Sequence, residues 1–190
     1  EGKPVRFKSR ITARGFAQRY GVNYKETFQP VARLEAVRTF IAAAVACGTP
    51  MWQLDFEGAY LQGKADFPIY MEFPSGLNSV PGIDIPEGKV ALLKKSLYGL
   101  KQAGNIWWAT LSEQLVKCHF QACDAEPCCW VYNRKGLMIS IILHVDDALF
   151  TSNDMVAARK VLKKIDGTLK HTIDAKPASW YLGMKIDQFI

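Results

Sequence analysis

The sequence has no apolar run long enough for a membrane-spanning helix, which requires about 18 residues or more. Its longest apolar stretch, around residues 137–145, is interrupted by Ser140 and His144 and is followed by two acids. Internal repeats, low-complexity tracts and a signal-peptide pattern are also lacking. We therefore expect an intracellular globular protein with no membrane contact.

Paired C-x-x-C knuckles are missing too, although the chain has five cysteines. Four of them, with His119, fall within CHFQACDAEPCC at residues 118–129. Zinc sites need thiolate and imidazole ligands at characteristic spacings, and an odd cysteine count does not suggest a disulfide framework. Reduced thiols are therefore the favoured interpretation, and a zinc site is the alternative.

Size and composition predict one packed domain, or one domain with a small appendage. The chain has 190 residues, of which 49% are hydrophobic, and its formal net charge is +6. This modest basic excess is compatible with a polyanionic partner without requiring one. Because the chain starts at Glu1 and stops within MKIDQFI, we expect both ends to be cuts within a longer polypeptide.

Strand and helix patterns alternate along the chain. The predicted elements are a basic strand in VRFKSRITAR, a helix in LEAVRTFIAAAVACG, a strand starting at MWQLDF, a loop at residues 73–88, a short strand in KVALL, a helix at residues 105–117, strands in CCWVYN and LMISIILHVDDALF, a helix in DMVAARKVLKKIDGTL and a strand in SWYLGMKI. We expect Val45 and Val156 to face inward with their helices' other apolar residues. This order predicts an α+β domain with helices packed on one face of a mostly antiparallel sheet.

Two adjacent acids, Asp146 and Asp147, interrupt the apolar stretch ILHVDDALF. Burying two ionised carboxylates side by side is costly without compensation. The Asp-Asp pair is interpreted either as a hairpin turn with both side chains in water or as a carboxylate site for a divalent cation.

A third acid, Asp55, ends the strand-like stretch in WQLDFEGAYL. It is either an ordinary strand-ending residue or part of the same site, since two-metal phosphoryl chemistry requires carboxylates shared between ions. Asp55, the Asp-Asp pair, the basic strand before them and the loop LYGLKQAG between them form a more specific set than any one of these features.

This ordered set resembles the reverse transcriptase domain of copia-type (Pseudoviridae-like) long-terminal-repeat retrotransposon polyproteins. The matching blocks, which cover nearly the whole chain, are FKSRITARGFAQRYGVNYKETFQPVARLEAVR, WQLDFEGAYLQG, IYMEFPSG, LLKKSLYGLKQAGNIWW, ILHVDDALF and WYLGMKI. The resemblance implies a right-hand polymerase fold with fingers mainly at residues 1–50 and about 64–105, and a palm at about 51–63 and 106–190. No thumb is expected within this fragment.

The implied activity is RNA-directed DNA polymerisation, in which a dNTP is transferred onto a primer 3′-hydroxyl with two Mg²⁺ ions, or Mn²⁺ in their place. The implied catalytic and metal-binding residues are Asp55, Asp146 and Asp147, with the main-chain carbonyl of Phe56 as a further metal ligand. Asp146 is expected to be the stronger ligand and Asp147 the weaker, because neighbouring strand residues point in opposite directions.

The resemblance also implies nucleotide and primer contacts. The expected dNTP-binding residues are Lys8, Arg10, Tyr60, Tyr98, Gly99 and Gln102, and the expected primer-grip residues are Trp180, Tyr181, Leu182 and Gly183. Arg10 offers a guanidinium fork for phosphate, and Tyr60 would exclude a ribose 2′-hydroxyl unless it is a core residue. Lys8 and Lys101 are either phosphate contacts or solvated charges, and Gly99 would let backbone approach the nucleotide.

The implied partners are an RNA or DNA template-primer, dNTPs, and the integrase, thumb and ribonuclease H regions of the polyprotein. The implied location is a cytoplasmic virus-like particle or the nucleus. Without a thumb, we expect weak or no processive synthesis by this chain alone.

Three positions depart from the family's usual pattern. Gly104 and Asn105 replace a Pro-Arg pair, and His144 replaces a tyrosine before V-D-D. An inactive remnant that at most binds nucleic acid is therefore the alternative function. A different metal-dependent nucleotidyl enzyme on a similar palm, such as a cyclase, is a further alternative, which the basic strand and the LYGLKQAG loop disfavour.

Overall fold

The computed structural model describes residues 9–166, 169–174 and 176–188. Lys8 lies outside the described residues. The helices are α1 Leu34–Ala46, α2 Ala103–Lys117 and α3 Met155–Asp166. The strands are β1 Met51–Phe56, β2 Tyr70–Met71, β3 Ala91–Leu92, β4 Gln121–Cys123, β5 Glu126–Arg134, β6 Leu137–His144, β7 Asp147–Ser152, β8 His171–Ile173, β9 Trp180–Tyr181 and β10 Met184–Lys185. None of the helices in these ranges is long and apolar enough to cross a bilayer.

The chain divides into two compact units. The first comprises the residues up to Phe28 together with Tyr60–Trp107, and the second comprises Gln29–Ala59 and the residues from Trp108 onward. Helix α1 belongs to the second unit, with the main sheet. The assignment of fingers and palm to residue ranges stays a prediction.

The second unit is built on a six-stranded sheet with the order β4-β5-β6-β7-β1-β8. Every neighbouring pair in it is antiparallel. Central strands β6 and β7 are apolar on both faces, since Ile141 and Ile142 are both buried. Both faces of the sheet therefore have to be covered. A sheet with one face in water would instead show alternating apolar and polar residues along each strand.

Helices α2 and α3 cover one face of this sheet. The register places Trp52, Phe150, Ile141 and Trp130 in one row across β1, β7, β6 and β5. From α2, Trp108 packs on Trp130 with ring centroids 6.3 Å apart, and from α3 the Arg159 guanidinium lies 4.8 Å from the Trp52 ring centroid. The two helices thus share the side on which this row projects.

Helix α1 lies over the opposite face. Together with Ser140, Ile142 and Thr151, which alternate with that row, it lines an apolar groove of about 820 Å³. The prediction that the helices pack on one face is therefore wrong for α1. The α+β class and the antiparallel sheet are confirmed.

The first unit has a smaller core. Ile69, Leu100 and Ala103 are buried together, and Tyr60 is among the partly buried residues packed against them. The two-residue strands β2 and β3 pair with each other beside this core.

Several predicted elements differ from the observed ones. Residues 9–14, in the predicted basic strand, have no regular structure, and Val45 and Val156 are exposed. The predicted final strand is instead the hairpin β9–β10. Strands β4 and β8, each three residues long, were not predicted, because so short a segment leaves little alternation to detect.

Candidate functional site

A row of four polar residues crosses the sheet at one end of its central strands. Asp55 of β1 is directly opposite Asp147 of β7, which in turn is opposite His144 of β6. On the other side, Asp55 is opposite Thr172 of β8. Directly opposite residues project to the same face of a sheet, so the register brings these acids together from positions ninety residues apart in sequence.

The hairpin turn that carries the other acid consists of Val145 and Asp146. Asp147 is already the first residue of β7, so the interpretation of Asp146 and Asp147 together as the turn is wrong by one residue. The main-chain oxygen of Asp146 accepts a hydrogen bond from the Phe56 N–H at 3.3 Å, which ties the turn to the end of β1. The argument that the two acids point oppositely as strand neighbours does not apply, because Asp146 is not in a strand.

Val145 has a φ of 62°, in the left-handed region. A β-branched residue there is strained, because its Cβ approaches the following carbonyl oxygen. Such strain persists where the surroundings determine the conformation. Here the surroundings are the two paired strands β6 and β7, which meet through a two-residue loop.

The acids repel one another. Burial, followed by the negative charges of Asp146 and then Asp55, raises the pKa of Asp147 above its ordinary value, and His144 acts weakly against this. Asp147 is therefore within electrostatic reach of both Asp146 and Asp55. Asp147 is nevertheless exposed and Asp146 half-buried, so the acids are not as fully enclosed as their apolar flanks suggest.

The acids suit a divalent cation that is held by one or two carboxylates and otherwise by water or substrate, not one enclosed by three or more protein side chains. Within residues 9–166, 169–174 and 176–188, no three His, Cys, Asp or Glu side chains are placed so that all could hold one metal ion. Magnesium, however, is often bound by one or two carboxylates, with water and substrate phosphates completing its shell. The facing pair Asp55 and Asp147 supplies such oxygens, and metal binding by Asp55, Phe56, Asp146 and Asp147 stays a prediction.

The expected primer-grip residues form the hairpin β9–β10. Its turn is Leu182 and Gly183, both with positive φ, the combination typical of tight two-residue hairpins. Trp180 is 56% exposed, whereas Tyr181 is 2% exposed. The Tyr181 hydroxyl donates to the Ile142 carbonyl at 3.5 Å. Burial, followed by the nearby charge of Asp147, raises the pKa of Tyr181.

Three of the expected dNTP-binding residues form a cluster in the first unit. The Arg10 guanidinium lies 5.6 Å from the centroid of the Tyr98 ring, and the Tyr60 ring meets the Tyr98 ring edge-on at 5.4 Å. Tyr60 also packs on the core of this unit. The geometry is compatible with both interpretations of Tyr60, as a core residue and as a sugar-selecting residue.

Gly99 is required by packing within the first unit. Its φ is 87°, and a Cβ there would collide with the main-chain oxygen of Ala13. A Cβ at Gly15 would likewise collide with the Gly99 oxygen. This close approach of two chain segments explains the glycine without a nucleotide.

Gln102 is fully buried at the centre of a hydrogen-bond network. Its amide nitrogen donates to the Asn23 carbonyl at 2.7 Å and to Asp66 Oδ1 at 3.3 Å, and its oxygen accepts from Gln18 Nε2 at 2.9 Å. The sequence interpretation missed Gln18, Asn23 and Asp66, because nothing in their local pattern shows that they converge on Gln102.

The departures from the family pattern have structural counterparts. Gly104 lies in the first turn of α2, where proline would also be tolerated. The Asn105 side chain donates to the Phe28 carbonyl at 2.7 Å. His144 Nδ1 is buried without a hydrogen-bond partner in the described part of the chain.

Comparison with known proteins decides the family. The family model described as "Reverse transcriptase (RNA-dependent DNA polymerase)" matches residues 1–190. The chain belongs to this reverse transcriptase family. The resemblance to copia-type retrotransposon polyproteins is confirmed with it. No solved structure matches this reverse transcriptase domain at a significant level.

Curated relatives of this reverse transcriptase domain are plant polyproteins. It is similar to the retrovirus-related Pol polyprotein from transposon RE2 of Arabidopsis thaliana (35% identical over 175 residues, 92% of this chain and 11% of the relative), that from transposon TNT 1-94 of Nicotiana tabacum (34% over 190 residues, 97% and 14%) and that from transposon RE1 of Arabidopsis thaliana (32% over 185 residues, 97% and 12%). The chain thus spans between about a tenth and a seventh of the length of these relatives.

Proposed function

We propose that this reverse transcriptase domain performs RNA-directed DNA synthesis by nucleotidyl transfer of dNTPs onto a primer 3′-hydroxyl, within a retrotransposon polyprotein. The observation that carries the proposal is the pairing of Asp55 with Asp147 across β1 and β7, with Asp146 in the adjoining turn.

The acids would act as a fixed cluster of negative charge at the surface of the sheet. Phosphoryl transfer depends mainly on positioning and charge neutralisation, and strands hold side chains more rigidly than loops do. Two divalent cations bound there would activate the primer hydroxyl and stabilise the pyrophosphate leaving group. The hydrogen bond from the Phe56 N–H to the Asp146 carbonyl would keep Asp146 in place relative to Asp55.

Residues of the first unit would hold the incoming nucleotide. Arg10 has a guanidinium suited to bidentate phosphate binding, and its contact with the Tyr98 ring fixes its direction. Tyr60 braces Tyr98 from the side. Gln102 would act by holding the residues around it rather than by touching the substrate, since it is fully buried.

The test is primer extension by the polyprotein with Asp146→Asn, on an RNA template with Mg²⁺. We expect synthesis to be lost while the thermal unfolding profile is kept. Asp124→Asn, at an exposed aspartate in the β4–β5 turn, is the matched control and should extend primers as the unchanged protein does. Full activity of Asp146→Asn would overturn the proposal.

A non-catalytic remnant would give a different set of results. It would bind nucleic acid with an affinity that falls steeply with salt, yet no condition would produce extension. A polyprotein with intact acids that behaves in this way would contradict the polymerase proposal and support the remnant.

A further inference from the structure

An exposed aromatic residue in the first unit, Tyr20, is flanked in sequence by basic residues. Tyr20 is 72% exposed. Arg14, Arg19 and Lys25 are also exposed, and in the described part of the chain no carboxylate is within ion-pair distance of any of the three. Basic charge interleaved with exposed aromatic rings is the composition of surfaces that bind single-stranded nucleic acid.

The loop that carries Tyr20 is held rigidly. We call residues 18–24 the Tyr20 loop. Within it, the N–H groups of Val22 and Asn23 donate to the Arg19 carbonyl, and Gly21 N–H donates to the Tyr24 carbonyl at 2.8 Å. The Asn23 side chain also accepts from the Arg19 N–H at 3.0 Å. The ring of Tyr20 is therefore exposed on a fixed backbone, not on a mobile segment.

Buried polar groups fasten the Tyr20 loop to the rest of the unit. The fully buried Gln102 bonds both ends of the loop, through Gln18 Nε2 and the Asn23 carbonyl. The Lys101 N–H donates to Gln18 Oε1 at 2.8 Å. An isolated exposed hydrophobic residue needs no explanation, but here a buried polar network keeps a basic, aromatic loop in one conformation.

The Tyr20 ring itself is supported from one side. Tyr24 meets it edge-on, with ring centroids 5.8 Å apart. Lys101 Nζ lies 4.9 Å from the Tyr24 ring centroid, close enough for a cation–π contact. The Tyr20–Tyr24 pair is flanked in sequence by Arg19 and Lys25, which are both exposed.

From these contacts we propose that the Tyr20 loop is a stacking platform for single-stranded nucleic acid, on which a base stacks against Tyr20 while Arg19 and Lys25 contact the flanking phosphates. Naming the strand as the template rests on the proposed function. The Tyr20 loop is hydrogen-bonded to Lys101 and Gln102, which follow Tyr98 closely in the sequence. Stacking tolerates any base, as a template surface must.

Binding of a single-stranded 12-nucleotide RNA to the 190-residue chain, measured by fluorescence anisotropy, tests the platform. Tyr20→Ala should weaken binding roughly 5- to 160-fold, the loss expected for one base–aromatic stack. Tyr20→Phe should bind within about twofold of the unchanged chain, because it keeps the stacking face. Tyr70→Ala removes an equally large ring that is 65% exposed in the same unit, and should leave affinity unchanged.

The charge contribution has its own measurement. The double variant Arg19→Gln/Lys25→Gln should reduce the slope of log affinity against log salt by about 1.4, since each phosphate contact on a single strand contributes about 0.7. A 2-aminopurine base in the RNA should be quenched on binding, and Tyr20→Ala should remove that quenching. A blunt duplex of the same length should bind both chains equally.

Three results would overturn the platform: unchanged single-strand affinity in Tyr20→Ala, an equal loss in Tyr70→Ala, or an equal loss for blunt duplex. Each is independent of catalysis. If the polyprotein with intact acids fails to extend primers while Tyr20→Ala still weakens single-strand binding, the polymerase proposal is refuted and the platform stands. If the unchanged polyprotein extends primers but Tyr20→Ala binds RNA normally, the polymerase proposal stands and the platform is refuted.

Discussion

Asp55 and Asp147 face each other across an antiparallel strand pair whose register is unbroken from Met51 opposite Thr151 to the two acids. Like charges directly opposite each other destabilise a sheet. The fold therefore keeps an unfavourable pair at one end of strands β1 and β7, which is expected where function and not stability determines the residues.

Replacing one member of this pair should separate stability from activity. We expect Asp147→Asn to raise the free energy of unfolding by about 0.2–1 kcal/mol at low salt, because it removes the cross-strand repulsion. The gain should shrink as salt screens the charges. Primer extension by the same variant of the polyprotein should fall by at least tenfold. Urea denaturation with Asp124→Asn as control measures the first effect, and a stability loss in Asp147→Asn would contradict the account of repulsion.

The strained turn residue offers a second test. Val145→Gly should relieve about 1–2 kcal/mol of left-handed strain and lose about 0.5–1 kcal/mol through the greater freedom of the unfolded chain. The net expectation is a gain of up to about 1 kcal/mol in unfolding free energy with reduced synthesis, because Asp146 is then held less firmly.

Lys135→Gly is the matched control for this change. Lys135 has a φ of 51° in the turn between β5 and β6. This turn is at the opposite end of β6 from the turn that carries Asp146. Lys135→Gly should show a similar stability change with unaltered synthesis. If both variants lost activity equally, a specific role of the Val145 turn would be refuted.

Neighbouring residues of the β9–β10 hairpin should respond in opposite ways. Tyr181→Ala should cost about 3 kcal/mol in unfolding free energy, because it empties a buried site. Trp180→Ala should change stability by less than about 1 kcal/mol, since its ring is largely exposed, while raising the KM for primer. Thermal denaturation and primer titrations of both variants distinguish the two, and equal stability losses would show that the assigned burial is wrong.

The ion pair between Arg33 and Glu126 predicts a dependence of stability on pH. Burial raises the pKa of Glu126, but hydrogen bonds from the Arg33 guanidinium and the Cys128 N–H outweigh it, so the folded pKa is below the ordinary value. A carboxyl with a depressed folded pKa stabilises the fold above its unfolded pKa and loses that contribution as pH falls through the folded pKa.

Glu126→Gln should therefore be less stable than the unchanged chain by about 1.5–3 kcal/mol near pH 7, the contribution of a hydrogen bond to a charged group. The difference between the two should narrow below about pH 4. Urea denaturation from pH 7 to pH 3 measures it, and a difference independent of pH would exclude the carboxylate as its source.

Much of the fold, and the family, could be predicted from the order of patterns and motifs along the sequence. The helices near 34–46, 105–117 and 155–166 were predicted within a few residues, because their apolar period is long enough to recognise. The acids were found because carboxylates in apolar surroundings are conspicuous. What local patterns could not show was the register, since the side chain opposite Asp55 depends on where β7 begins.

The remaining misses have the same origin. Whether α1 covers the face shared by α2 and α3 depends on its packing, and no residue within α1 encodes the side of the sheet it will meet. Gln102 was interpreted as a nucleotide contact because of its family position, yet its burial follows from three partners far away in sequence. Convergence of distant polar groups leaves no periodic signal.

The interlock of Gly15 and Gly99 distinguishes two kinds of damage that copies of a transposable element accumulate. We expect a copy that loses one of the acids to keep its fold, whereas a side chain at Gly15 or Gly99 would collide with the main chain of the opposing segment in the first unit. A copy with either glycine substituted would be cleared by the cell's proteases instead of persisting as a nucleic-acid-binding relic. Protein abundance, and not acid content alone, would then show which copies can still interfere with an active one.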